Sequence, residues 1–193
     1  MTTILTVLTD GFADWETALL NGAARGYYGV STLYAAPGGT PVTSAGGMMV
    51  TPQIALEDAD IETIDAIIVC GGTAWQRPGA PDIGPLVKAA REKGKLVGAI
   101  CDGTVALART GVLDSVQHTS NGAGYLDGTG YAGAPLYRDV MNAVADDGVV
   151  TASATAPVSF MAEVMRALGF ADANLDFFLD MHAAQHQPHA KAA

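Results

Sequence analysis

Gly98-Ala99-Ile100-Cys101-Asp102-Gly103 joins an apolar run to a helix-forming one, and its reading decides the fold. Upstream, Leu96–Ile100 holds only apolar or small residues, as a strand covered on both faces requires. Downstream, 103–110 is almost wholly apolar, and Gly111 stops it. Small residues on both sides of Cys101 permit a tight turn that pushes its side chain into the open. The serine counterpart is the Gly-x-Ser-x-Gly elbow of hydrolases, which the Gly-x-x-Cys-x-Gly spacing meets only loosely. A helix beginning at Asp102–Gly103 favours a thiolate, so the Cys101 pKa is expected to be lowered. A cysteine that ends a buried strand is often inert; the strand, the following helix and the flanking glycines together favour a nucleophile.

The same alternation extends outward. Strands are predicted at 4–8, 30–35, 66–70 and 149–151, with a small hairpin formed by 42–44 and 48–51 around Gly46-Gly47. Helices are predicted from Asp14 to Tyr28, from an Asp82 cap to Gly94, over 103–110, from about Pro157 to Gly169, and from near Asn174. Strand and helix alternating through one chain imply an α/β fold with a mostly parallel central sheet and helices on both faces. In such sheets the site lies beyond the carboxyl ends of the strands. Asp10–Glu16, Gly71-Gly72 and Cys101 all fall there. One domain is expected over 1–193, with 182–193 a fraying tail that lacks apolar periodicity.

Ten basic against 20 acidic residues give a net charge of −10, which makes nucleic acid and anionic membranes poor partners. A small-molecule substrate is the partner expected instead, and neither a cofactor nor a metal is expected. The opening stretch 2–9 lacks the basic start and cleavage site of a secretory signal, and no apolar run reaches membrane-spanning length. The two cysteines, Cys70 and Cys101, are too few for a disulfide framework. A cytoplasmic location is therefore expected.

Glu16 follows from helical geometry. Thr17, Asn21 and Arg25 make one polar stripe of the first helix, and Glu16 lies off it, sharing a side with Leu20, Ala23 and Tyr27. A carboxyl on an apolar flank has a raised pKa and can donate a proton; the alternative is a first-turn acid complementing the helix dipole. Asp14 reads as the N-cap. Backbone N–H groups of Gly71 and Gly72, with that of Asp102, would form an oxyanion hole, unless the glycine pair is a plain turn. Cys70, on the opposite pleat from Gly71, reads as a buried core thiol. Trp75 and Tyr125 are candidate pocket walls, with ordinary packing or a dimer contact as the alternatives.

Asp10-Gly-Phe-Ala-Asp-Trp-Glu16, Ile67-Ile-Val-Cys-Gly-Gly72 and Gly98–Gly103, with 106–114 and 149–153, together resemble the ThiJ/PfpI superfamily, which includes the parkinsonism-associated deglycase. The resemblance extends from Ile4 to about Gly169. It implies a flavodoxin-like three-layer sandwich of the glutamine amidotransferase type, a nucleophile at Cys101, a protonated glutamate at Glu16, and a homodimer.

Two departures narrow the chemistry. Protease-like members carry histidine directly after the cysteine, where this chain has Asp102; the deglycase branch has a histidine after the next strand, where Asn121 stands. His118, three residues earlier, is a weak substitute. The late His-x-Glu of a glutaminase triad is absent. Glutaminase and protease activity are therefore disfavoured. Cys101 with the carboxyl groups of Glu16 and Asp102 suits addition to a small electrophile, through glyoxalase- or deglycase-like action on 2-oxoaldehydes. Isocyanide hydration is the alternative, and a cysteine-oxidation sensor without turnover is the alternative of another class.

Overall fold

The computed structural model describes residues 1–184. Nine strands and five helices occur in these residues, in the order β1 (Thr3–Val7), α1 (Asp14–Tyr28), β2 (Ser31–Ala36), β3 (Val42–Thr43), β4 (Met49–Val50), β5 (Ile54–Ala55), β6 (Ala66–Val69), α2 (Gly84–Glu92), β7 (Leu96–Ile100), α3 (Gly103–Arg109), β8 (Val144–Asp146), β9 (Val149–Ala152), α4 (Pro157–Ala167) and α5 (Ala173–Ala184). Seven strands form one sheet in the order β5-β2-β1-β6-β7-β9-β8, all parallel except β8 against β9. This is the flavodoxin-like α/β sandwich that the sequence implies.

The alternating pleat sorts the sheet's side chains into two cores. Leu5, Val7, Ile67, Val69, Val97 and Ala99 point to one face and pack with Val87, Ala90, Val105 and Leu107 of α2 and α3. Ile4, Ile68, Ile100 and Val150 point to the other, against Leu20 of α1, Phe160, Met161 and Val164 of α4, and Leu175 of α5. Full burial of a side chain the size of Phe160 contributes roughly 2–3 kcal/mol. Gly98 makes that burial possible, since a Cβ there would stand 2.7 Å from Ile68 Cδ1 and 3.2 Å from Phe160 Cζ.

Most predicted elements hold to within a residue or two, including the β3–β4 hairpin and the α1 and β7 boundaries. Two edge strands, β5 and β8, were not predicted; at two and three residues they carry no periodicity to read. Asp14 is not the N-cap of α1, since Ala13 occupies that position, and the Asp14 carboxylate accepts the Gly46 N–H at 2.8 Å, tying the hairpin to the helix start. The polar stripe of α1 faces the sheet: Thr17 and Asn21 are buried, and Asn21 donates to Thr6 Oγ1 at 3.0 Å. His182–Ala184, expected to fray, lie in α5, and 185–193 are outside the described residues. Among the described residues no helix is long and apolar enough to cross a membrane.

Candidate active site around Cys101

The register Val69↔Ala99 between β6 and β7, carried two residues on, sets Gly71 beside Cys101 at the carboxyl edge of the sheet. Cys101 follows the last residue of β7 with φ +55°, a left-handed conformation that costs a residue with a Cβ about 1–2 kcal/mol. The turn is secured from both sides. The Cys101 N–H donates to Ala152 O at 2.9 Å, and its carbonyl accepts from Thr104 Oγ1 at 2.6 Å. Gly103 starts α3 so close to β6 that a Cβ would overlap Val69 O. The elbow reading of 98–103 is thus a backbone fact, and the sulfur is left half-buried.

Glu16 enters from the first turn of α1 and is fully buried. Its Oε2 accepts the Gly71 N–H at 2.9 Å. Its Oε1 has no hydrogen-bond partner among the described residues, and the carboxyl acts on the neighbouring Cys101 thiol. Burial drives its pKa from 4.5 up to about 7, against the hydrogen bonds from Cys101 and Gly71. Only glycine fits at 71, because a Cβ there would overlap Glu16 Oε2 and lie 2.6 Å from Cys101 Cβ.

The Cys101 thiol is pushed up to about 12, first by burial and then by Glu16 and Asp102, with the Asn121 hydrogen bond working against them. The expected lowering by the helix is outweighed, because burial and then the two flanking carboxyl groups act against an α3 of only seven residues. Cys101 and Glu16 therefore titrate as a pair. The first proton leaves near neutrality and the second only in strong base. With one proton between them, the pair exists as thiol beside carboxylate or as thiolate beside carboxylic acid. The second form is the one that a nucleophilic role would use.

The remaining candidates separate. Asn121 Nδ2 lies 3.4 Å from the sulfur, and Asn121 Oδ1 accepts the Ala154 N–H at 2.9 Å. Asn121 also lines an open cleft of about 570 Å³, with Ser120, Gly122, Met141, Ser153 and Ala154 among its walls. The Gly71 N–H is engaged by Glu16, which removes it from the expected oxyanion hole. Trp75 is not a pocket wall: it is fully buried, and its indole N–H donates to Cys70 O at 2.8 Å. Cys70 is fully buried and its thiol is pushed up to about 12 by burial, as suits a core residue. Asp102 turns its carboxylate to the Tyr125 hydroxyl and to Gln76 Nε2. Gln76 was missed, since one glutamine in a turn carries no pattern. His118 is buried between Tyr131 and Tyr137 with Nδ1 on Val116 O, and His182 packs on Phe178. His186 and His189 lie outside the described residues.

Known proteins carry the same arrangement of elements. A crystal structure of a DJ-1 superfamily protein from Agrobacterium tumefaciens superposes with a TM-score of 0.94 at 44% identity, covering 97% of this chain and all of that one. "Uncharacterized protease YoaZ" of Bacillus subtilis is 36% identical over 129 residues, 66% of this chain and 61% of that protein. "Glutathione-independent glyoxalase DJR-1.2" of Caenorhabditis elegans is 37% identical over 86 residues, 44% of this chain and 46% of that protein. The chain thus spans about half to three-fifths of these two relatives. The DJ-1/PfpI family pattern matches residues 2–167, and the chain belongs to the DJ-1/PfpI family.

Proposed function

We propose that this protein is a cofactor-independent enzyme in which Cys101 adds to the carbonyl carbon of a small 2-oxoaldehyde, giving glyoxalase-like turnover. The observation that carries this reading is the buried Glu16 carboxyl beside the sulfur, with a pKa near 7. A group titrating at the working pH can both deliver and accept protons. The thiolate attacks the aldehyde carbon, and the carbonyl oxygen takes the Glu16 proton to give a hemithioacetal. Glu16 then removes the proton on C1 and returns one to C2, leaving a thioester. Water hydrolyses the thioester to the 2-hydroxy acid and frees the thiol. The sum is 2-oxoaldehyde plus water to 2-hydroxy acid, with no external oxidant.

Kinship with a protein named a glyoxalase supports the reading. Kinship with a protein named a protease favours it less, because peptide cleavage calls for a base to activate the thiol and protonate the amine, and neither described histidine serves the sulfur. The open cleft at Asn121 is the proposed entrance for the substrate. The same reading takes the protein as a homodimer, supported by the exposed apolar side chains Trp15, Met48 and Met49 near the start of α1. Two free thiols suit a reducing cytoplasm.

The test is lactate formation from methylglyoxal, run beside hydration of an isocyanide. Turnover of methylglyoxal that is lost in Cys101→Ser is the expected result. Turnover of the isocyanide alone would transfer the proposal to hydration, and activity retained in Cys101→Ser would overturn the cysteine chemistry altogether.

A further inference from the structure

Four polar side chains close around Cys101 on the α3 side. Asn121 Nδ2 lies 3.4 Å from the sulfur. The Tyr125 hydroxyl donates to Asp102 Oδ1. Gln76 Nε2 donates to the same Asp102 oxygen at 2.7 Å and to the Tyr125 oxygen at 2.8 Å. One carboxylate oxygen thus receives two donors from segments 49 residues apart in sequence. Asp102 is 5% exposed, whereas Tyr125 is 38% exposed.

This arrangement answers a difficulty at the elbow. Asp102 directly follows the nucleophile, and a buried carboxylate beside a sulfur opposes its ionisation. Donors on the carboxylate draw its charge toward the surface loops and fix where it points. The phenol keeps its proton well above neutral pH, because burial and the Asp102 hydrogen bond push its pKa up to about 12, so it stays a donor. Asn121 is held through its Oδ1 by the Ala154 N–H, which keeps its amide aimed at the sulfur.

We propose that Tyr125, with Gln76, is a positioning residue that holds and screens the Asp102 carboxylate so that Cys101 can ionise beside it. The proposal rests on Cys101 being the reactive thiol and on no particular substrate. Its test therefore reads sulfur reactivity and not turnover, so it can fail or stand whatever happens to the carbonyl chemistry.

The measurement is the pH dependence of Cys101 alkylation by iodoacetamide in the full chain, followed by mass spectrometry of the Cys101 peptide. Tyr125→Phe keeps the ring and removes the donor, and is expected to move the alkylation midpoint upward by roughly half to one pH unit. Gln76→Leu moves it the same way by less, and Asp102→Asn moves it down. In the Asp102→Asn background, Tyr125→Phe adds nothing, a cancellation that a purely structural role for the tyrosine would not produce. An unmoved midpoint in a Tyr125→Phe protein of native melting temperature overturns the proposal. So does a shift that persists at full size with Asn at 102. Should Tyr125→Phe fail to fold, Gln76→Leu decides by the same criterion.

Discussion

Replacing Glu16 with glutamine isolates one proton in the stability of the fold. The carboxyl is fully buried, and its pKa stands at about 7 in the folded protein against 4.5 as its ordinary value. A folded pKa above the unfolded one means that the native state holds the proton longer. Wild type therefore keeps this contribution below pH 4.5 and loses it as pH rises toward 7. A span of about 2.5 in pH at about 1.4 kcal/mol per unit integrates to roughly 3 kcal/mol. Glutamine keeps a carbonyl acceptor for the Gly71 N–H but has nothing to ionise. Urea unfolding of both proteins from pH 4 to pH 8 gives the difference directly, and Asp14 and Asp172, whose pKa values are shifted the other way, cancel in it. The stability of Glu16→Gln relative to wild type should climb by about 3 kcal/mol across that range. Parallel pH profiles for the two proteins would refute the assignment of a buried, proton-holding Glu16.

Two further outcomes follow from the same geometry. Gly71→Ala forces a methyl group against Glu16 and Cys101, and should cost about 1–3 kcal/mol in thermal unfolding while lowering turnover of methylglyoxal by tenfold or more; a stable, fully active variant would contradict the close fit. Asn121→Ala removes the N–H donor that favours the thiolate, so the midpoint of Cys101 alkylation should rise. A midpoint unchanged or lowered would show that Asn121 leaves the sulfur alone.

The fold was legible because its determinants are local. The apolar runs at 66–70 and 96–100, each closed by small residues, say where the buried strands stop, and the helical stripes say what covers them. The strands at 54–55 and 144–146 escaped because their pairing comes from neighbours and not from pattern. The meeting of Cys101 and Glu16 was legible from their place on strand end and helix flank. What sequence could not supply was direction. The Gly71 N–H serves Glu16, the Trp75 indole N–H turns inward to Cys70 O, and Asp102 looks toward Tyr125 and Gln76. Each of these depends on a rotamer or a peptide plane set by contacts distant in sequence. The sign of the Cys101 shift was misread for a related reason: a helix start is visible in sequence, whereas the desolvation that outweighs it depends on packing.

The register of β6 on β7 has a consequence for how such a site can change. Counting on from Val69↔Ala99, Gly71 is the residue opposite Cys101, and Cys70 stands one step behind it. Inserting a single residue into the loop before β6 and sliding the strand by one would bring Cys70 to the position opposite Cys101. Adjacent strands run about 4.8 Å apart, within the Cα separation that a disulfide spans. The proton-sharing partner of the sulfur would then be a second sulfur. One notch of strand alignment thus separates an acid–thiol couple from a dithiol, and the barrier between them is the packing of β6, whose buried side chains would all change faces.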